Sequence, residues 1–290
     1  MSLYTFFIQP LTTGFGVTEL IVKATPLILI GVGLSIGFKA NVWNIGAEGQ
    51  FTMGAIAGGG TALFLNTQES LLVLPAVLLM GILGGVAWGM IPAFLKTKFN
   101  ANEILTSLML SYVALLILSY LVHGPWRDPG GYNFPESEIF SDFAMLPILL
   151  EGTRLNLGTG FALLSVLIIY ILLSRTVLGY QFKVVGLAPA AAKHAGFDRA
   201  KLIWLSMIIS GGLAGLAGIS EVSGTIGQLL PSVSPGYGFT AIIVAFLGRL
   251  NPVGVLFAGL IMALTYIGGE NAQIEICLLY TSDAADDSQC

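Results

Sequence analysis

The sequence predicts an all-α protein that crosses a membrane several times. Of its 290 residues, 55% are hydrophobic and only 10% are charged, whereas soluble domains are about half apolar and about a quarter charged. Apolar stretches near or above the ~18 residues that a helix needs to cross a bilayer recur along the chain. Membrane β-strands need only ~10 alternating residues each, so stretches of this length favour α-helices.

Six apolar stretches, followed by one that glycine and proline interrupt, predict seven or eight transmembrane helices. They lie at about 17–37, 46–65, 71–95, 104–122, 158–174, 202–222 and, for the interrupted stretch, 239–268. Glycines four residues apart recur within them, and small residues on one helix face let neighbouring helices approach closely. These pairs are Gly33 and Gly37, Gly54 and Gly58, Gly81 and Gly85, and Gly211 and Gly215.

The basic residues indicate how the helices are oriented. If successive loops alternate between the two sides, nine of the twelve Lys and Arg residues lie on one side, which the positive-inside rule assigns to the cytoplasm. The nine are Lys39, Lys96, Lys98, Arg175, Lys183, Lys193, Arg199, Lys201 and Arg249. The polar stretch FKANVWNIGAEGQ, residues 38–50, is then a turn on the cytoplasmic side, and the long loop 123–157 faces outside.

The polar residues of stretch 38–50 have two interpretations. A charge inside a bilayer costs roughly 3 kcal/mol, which makes such a residue a functional candidate. Glu48, however, lies in the first turn of a helix, where the macrodipole favours a carboxylate, and Asn41 and Asn44 could cap the same helix with Trp43 at the interface. We favour this structural interpretation; the alternative is a pathway or gate formed by Asn41, Trp43, Asn44, Glu48 and Gln50.

Three further carboxylates lie near predicted helix ends. Glu103 is also a first-turn residue, with Asn100 or Asn102 as its cap. Glu221 follows a glycine-rich helix near the outer surface, and Glu270 lies near the end of the last apolar stretch. Each could line a solute path, although none lies at the centre of a span.

Both ends of the sequence raise expectations about the native protein. The first residues lack the cationic start and cleavage site of a signal peptide, and we expect a further helix to precede them. At the other end, CLLYTSDAADD breaks an apolar pattern and matches a translated sequencing adapter. We therefore interpret 277–290, with both cysteines, as a non-native tail and 1–276 as one domain.

Several classes of function are disfavoured by the motifs. The chain has no GxxxxGK[ST] phosphate loop, and GVGLSIG lies inside a span rather than after a strand. Its two histidines, His123 and His194, fall on opposite sides of the membrane, and neither a Ser-His-Asp arrangement nor HExxH spacing is present. We expect no catalytic residue, metal, cofactor or nucleic-acid partner, so uphill transport would need an ion gradient or another subunit.

The loop between spans 158–174 and 202–222 contains a predicted short helix, Ala188–Gly196. Pro189 suits a first turn, three alanines favour helix, and Gly196 is placed to end it. Such a helix, lying on the cytoplasmic side, could dock a partner or could simply connect two spans.

Four segments together resemble a known family. AAAKHAG is similar to the EAA-xxx-G loop by which permease subunits of ABC importers contact their ATPase. FKANVWNIGAEGQFTMGAIAG, ISGGLAGLAG and GYGFTAIIVAFLGRLNPVG complete a resemblance, over about residues 1–276, to permeases of the simple-sugar and nucleoside branch. The resemblance implies an ATPase partner, a second homologous permease, an extracytoplasmic binding protein and a location in the bacterial cytoplasmic membrane.

Within this resemblance, one group of residues corresponds to the ATPase-docking loop. It consists of Gly186, Pro189, Ala190, Ala191, Ala192 and Gly196. Ala190 stands where the family has its glutamate, so a salt bridge from that position to the ATPase is absent here. The resemblance implies alternating access, in which the ATPase moves this loop and the spans carry the motion to the solute path.

Other transport classes remain as alternatives. A secondary transporter would favour ionisable residues at span centres, whereas the carboxylates here lie at predicted span ends. An intramembrane enzyme would need a buried nucleophile and base or metal ligands. Within the importer family, a branched-chain amino-acid permease is the nearest alternative, and NIGAEGQ resembles the sugar and nucleoside group more closely.

Overall fold

The computed structural model is a bundle of α-helices, described for residues 8–131 and 133–286 and for the side chains in those ranges other than 9–10 and 274–286. The helices are α1 (Gln9–Thr12), α2 (Gly14–Lys39), α3 (Ala47–Phe64), α4 (Val73–Phe99), α5 (Glu103–His123), α6 (Gly158–Arg175), α7 (Val177–Leu187), α8 (Pro189–His194), α9 (Arg199–Glu221), α10 (Tyr237–Leu247) and α11 (Pro252–Asp286). A π-helical turn, Val222–Ile226, extends α9, and a short 3₁₀ turn spans Asp142–Ala144. The predicted non-native tail has no described side chain, and its last four residues lie outside the described residues.

Six of the described helices are long and apolar enough to cross a membrane: α2, α4, α5, α6, α9 with its π turn, and the described part of α11. The predicted span 46–65 forms α3, which has 18 residues but a more polar first turn. The interrupted stretch forms two helices, because α10 stops after 11 residues and α11 begins at Pro252. The predicted membrane fold is therefore confirmed, with α10 as a half-length helix.

Helix α2 lies at the centre of the bundle. Every residue from Ala24 to Phe38 is buried, and α2 packs against α9, α10, α11 and α6. A helix that is apolar on all sides is typical of a position surrounded by other helices. The segment that follows α2 therefore starts next to the other helices of the bundle.

Helices α3, α4 and α9 cross through glycines. A Cβ atom on Gly54 would collide with the backbone of Gly215, and one on Gly85 would collide with the carbonyl oxygen of Gly211. Since no side chain separates the backbones, the three helices approach as closely as small-residue packing in membranes allows. The predicted interhelical role of these glycines is confirmed.

A helix cap and an ion pair stabilise the link between α4 and α5. Asn102 accepts a hydrogen bond from the Ile104 amide at 3.0 Å, as an N-cap residue should. Glu103 pairs with Lys96 at 2.8 Å and is largely buried. The predicted structural role of Glu103 is confirmed, and Lys96 is the partner that sequence reasoning did not identify.

At the opposite end of the bundle, two ion pairs join α2 to other elements. Glu19 receives a bidentate contact from Arg154 of the outer loop, at 3.0 and 2.5 Å. Lys23 pairs with Glu270 of α11 at 2.8 Å. Hydrogen bonding to Glu19 raises the pKa of the Arg154 guanidinium, so this pair fixes the loop to α2 as charged groups.

Candidate functional site

The polar hinge, residues 40–46, joins α2 to α3 and begins with a sharp change of direction. Asn41 has φ 56°, in the left-handed region that asparagine tolerates better than most residues. Its side-chain oxygen accepts a hydrogen bond from the indole of Trp43 at 3.0 Å. Asn41 is exposed and lies at the end of α2, so it does not cap α3 as the sequence suggested.

Asn44 is the centre of a buried hydrogen-bond network. Its side-chain nitrogen donates to Gln50 at 2.9 Å and to the hydroxyl of Ser210 on α9 at 2.8 Å. Its oxygen accepts from the Gly46 amide and from the Gln50 side chain. Asn44 and Gln50 are only 2% and 1% exposed, and the network satisfies most of the polar atoms of the two amides.

This network lies deeper than the sequence predicted. Ser210 is eleven residues from the start of α9, which is roughly 16 Å along the helix. The hinge therefore does not stay at the cytoplasmic surface but returns into the bundle, and α3 begins near the middle of α9. The sequence predicted a turn on the cytoplasmic side and gave no sign of this depth, because hydropathy alone does not show when a connection between helices folds back among them.

Glu48 has a partner that the sequence did not indicate. Its carboxylate accepts a hydrogen bond from the Gly238 amide, in the first turn of α10, at 2.6 Å, and it also hydrogen-bonds to Ser234. Ser234 in turn accepts from the amides of Gly236 and Tyr237. The carboxylate thus stabilises the amide end of the half-length helix α10, not that of its own helix.

Two amides around the start of α3, one before the helix and one in its first turn, are satisfied by α5 instead. The hydroxyl of Ser107 accepts from the Ile45 amide at 3.2 Å, and that of Ser111 accepts from the Gly49 amide at 3.3 Å. Sequence reasoning did not identify these two serines. Their spacing of four residues places them on one face of a helix, and that was the signal available.

Aromatic rings line both sides of the hinge. Trp43 packs against both Phe38 and Phe246, with ring centroids 5.3 and 5.7 Å away, and these two phenylalanines stack on each other at 5.0 Å. Deeper in the bundle, Phe51 meets the edge of Tyr237, which is 2% exposed. Amides, hydroxyls and aromatic faces therefore surround the start of α3, as a path for a neutral polar solute would require.

The predicted short helix is present as α8. Pro189 opens it, and Gly196, at φ 76°, follows its end. Pro189, Ala190 and Ala191 are exposed, whereas Ala192 is buried against the bundle. The exposed residues of the first turn are small and uncharged, and Lys193 and His194 in the last turn are exposed as well.

Helix α7 connects α8 to the hinge. A Cβ atom on Gly186 would overlap the carbonyl oxygen of Lys39, the last residue of α2. Only glycine allows α7 and the end of α2 to touch in this way. The loop that contains Gly186 and α8 thus lies at the same end of the bundle as the start of the hinge.

Comparison with known proteins identifies the family. A family model described as the permease component of the branched-chain amino acid transport system matches residues 16–281. The chain belongs to this permease family. The permease is 39% identical to the glucose ABC transporter permease protein TsgB13 of Haloferax volcanii, over 92% of its own length and 73% of the relative.

Two bacterial relatives carry nucleoside names. The guanosine ABC transporter permease protein NupP of Bacillus subtilis is 33% identical over 89% of this permease and 75% of the relative. The nucleoside ABC transporter permease protein NupB of Lactococcus lactis is 30% identical over 90% and 74%. The ABC-permease resemblance seen in the sequence is confirmed.

The fold has a solved counterpart. A metal-chelate type ABC transporter in an inward-facing conformation aligns with a TM-score of 0.50 over 89% of the permease and 77% of that chain, at 20% identity. Among the residues that the structure describes, no group of three or more His, Cys, Asp or Glu side chains could hold a metal ion. The solved structure supports the fold, and the family model and the relatives show that the permease is a membrane component of an ABC transporter.

Proposed function

We propose that this permease carries a nucleoside or a simple sugar into the cell, across a bacterial cytoplasmic membrane. It would work with a separate ATPase, a second homologous permease and an extracytoplasmic binding protein. The observation that supports this most is the set of relatives at 30–39% identity, whose names specify glucose, guanosine and nucleosides. The ATPase supplies the energy, so the permease itself is not an enzyme.

The chemistry of the hinge supports a neutral solute. Asn44 and Gln50 offer uncharged amides, and the carboxylate of Glu48 is already engaged by Gly238 and Ser234. The amide end of a half-length helix inside a membrane commonly holds an anionic group of a substrate. Here Glu48 occupies that position, which leaves no free positive pole for an anionic solute at α10.

A branched-chain amino acid is the second candidate solute, because the family description names that transport system. An amino acid carries both a carboxylate and an ammonium group, and each would need a charged or dipolar partner along the path. The use of Glu48 within the protein therefore favours the nucleoside or sugar.

The mechanism we propose is alternating access driven through α8. An ATPase seated on the exposed face of α8 would displace α7, and Gly186 would transmit that displacement to Lys39 and the hinge beyond it. The hinge and α10 then change their contacts in two states, one open to each side. Gly186→Ala should leave ATPase binding intact and lower uptake, because the added Cβ would push α7 away from α2.

Two matched variants test the docking role. Ala190→Glu and Ala191→Glu place the same charge on the same exposed helix, one residue apart. The first restores the glutamate that the family carries, so it should preserve co-purification with the ATPase, whereas the second should reduce it without changing the thermal unfolding of the permease. Equal co-purification of both variants and the unaltered protein would count against docking through α8.

Uptake by proteoliposomes tests the solute. Vesicles containing the permease, its partner permease and the ATPase, supplied with the binding protein, should accumulate labelled guanosine or glucose only when ATP is present. Accumulation of leucine in preference to both would favour the amino-acid alternative. Accumulation by the permease alone, driven by an ion gradient, would refute the ABC assignment for this chain.

A further inference from the structure

A small polar cavity lies between α2, the end of α9 and the outer loop, far from the hinge. Its polar lining comes from Thr25, Asn156, Ser220, Glu221 and Thr225, and its volume is about 10 Å³. A cavity needs roughly 10–15 Å³ to hold one water molecule. The cavity is therefore large enough for one small polar molecule and too small for a sugar or nucleoside.

Ser220 shows that the protein leaves a polar group unsatisfied at this place. The residue is 4% exposed, and its hydroxyl has no hydrogen-bond partner among the described residues. Buried hydroxyl groups in proteins nearly always have a partner, from protein or from ordered water. Since Ser220 lines the cavity, the space beside it is where that partner would lie.

The neighbouring groups offer both acceptors and a donor. Thr225 donates its hydrogen to the Glu221 carbonyl, so its oxygen can accept. Thr25 donates to the Ile21 carbonyl and lies 3.1 Å from the Thr159 hydroxyl, which leaves its oxygen one lone pair with which to accept. The side-chain nitrogen of Asn156 makes one hydrogen bond, to the Arg154 carbonyl, and keeps a second N–H to donate. A bound molecule must therefore both donate and accept.

We propose that one ordered water molecule occupies this cavity and bridges Ser220 to α2 and the outer loop. Water satisfies the requirement to donate and accept, and buried waters typically make about three hydrogen bonds to such groups. A sodium ion could only accept lone pairs and would face the spare N–H of Asn156. Glu221 adds no cation site of its own, because Lys23 and Arg154, which form ion pairs with Glu270 and Glu19, also interact with it electrostatically.

The position of the water gives it a structural role in the outer half of the permease. The cavity lies where α9 turns into the π helix Val222–Ile226, and π turns lack the regular hydrogen bonds of an α-helix. A bridging water would join this irregular segment to α2 without any direct side-chain contact. This inference does not depend on the identity of the transported solute.

Ser223 provides a matched control. It is 0% exposed and its hydroxyl also lacks a partner among the described residues, but it does not line the cavity. Ser220→Ala should lower the unfolding midpoint of the purified full chain by about 2–4 °C, because the water loses a partner. Ser223→Ala should leave the midpoint unchanged or raise it, because it only removes an unsatisfied group.

The comparison is made in sodium chloride and in choline chloride. A midpoint for Ser220→Ala equal to or above that of the unaltered protein would mean that the cavity is empty, and would overturn the proposal. A midpoint that falls in choline chloride for the unaltered protein but not for Ser220→Ala would identify a sodium ion and also overturn it. If Ser220→Ala does not fold, a density map of the unaltered protein that resolves ordered water decides the question: a peak beside the Ser220 Oγ atom supports the proposal and its absence refutes it.

Discussion

Replacing Glu48 by glutamine tests whether this carboxylate is a helix cap or part of the solute path. Glutamine keeps the size and one acceptor oxygen, so the hydrogen bond from Gly238 can persist. What it removes is the negative charge at the amide end of α10, and it introduces an NH₂ group with no acceptor assigned to it. The 2.6 Å contact thus becomes a hydrogen bond between neutral groups.

The expected loss can be estimated from this geometry. Hydrogen bonds to charged groups contribute about 1.5–3 kcal/mol and neutral ones about 0.5–1.5 kcal/mol, and a charge at a helix end adds about 0.3–2 kcal/mol. We therefore expect Glu48→Gln to lower the free energy of unfolding by about 2 kcal/mol, which corresponds to roughly 4–8 °C in the midpoint. Uptake per folded molecule should change little.

The assay is thermal unfolding of the detergent-purified permease, with uptake measured on the same preparation after reconstitution. Glu138→Gln is the control, because Glu138 is exposed on the outer loop and its carboxylate accepts no hydrogen bond from the described residues; its midpoint should match the unaltered protein. If Glu48→Gln also matches, the buried group is not a charged cap. A folded variant that unfolds normally but transports nothing would instead place Glu48 on the solute path.

Three further sets of variants test the packing around the site. Glu103→Gln and Lys96→Met should each lower the unfolding midpoint, and the sum of the two losses should exceed the loss in the double variant, because removing one partner of a partly buried pair leaves the other unpaired. If the two losses add up to that of the double variant, the 2.8 Å pair contributes nothing. Gly54→Val should abolish the monodisperse peak in size-exclusion chromatography, because its side chain would enter the backbone of α9, whereas Gly160→Ala on α6 has ordinary space and should behave normally. Ser234→Ala should cost about 1 kcal/mol as the loss of a cap, and an unchanged midpoint would show that Glu48 alone holds α10.

The membrane spans could be predicted because length and apolarity dictate them locally. Each of the six uninterrupted stretches became a helix within a few residues, while the interrupted stretch 239–268 became α10 and the start of α11. The helix starts at Asn102 and Pro189 follow capping rules that operate within one turn. The sequence also predicted that these glycines would lie where helices approach closely, since residues four apart share one face of a helix. The helix that each glycine contacts could not be predicted, because the three-dimensional arrangement determines it.

The partners of the hinge could not be read from the sequence. Glu48 binds an amide 190 positions away, and Asn44 binds a hydroxyl 166 positions away, so no local pattern relates them. The depth of the hinge could not be predicted for a related reason. Hydropathy places polar residues at the membrane surface, whereas a polar segment inside the bundle is stable when protein groups satisfy its backbone and side chains.

The hydrogen bonds that already occupy the polar hinge side chains indicate how the hinge acts in transport. Asn44 uses both of its amide atoms on Gln50, Gly46 and Ser210, and Glu48 is occupied by α10. A solute that used these groups would first have to break hydrogen bonds within the protein, each of which costs free energy unless it is replaced. A binding site is normally preorganised with free donors and acceptors, whereas a gate is closed by contacts that must be broken. We therefore infer that Asn44 and Gln50 act as a gate, opened through α7 and α8 rather than by the solute, whereas Glu48 caps α10.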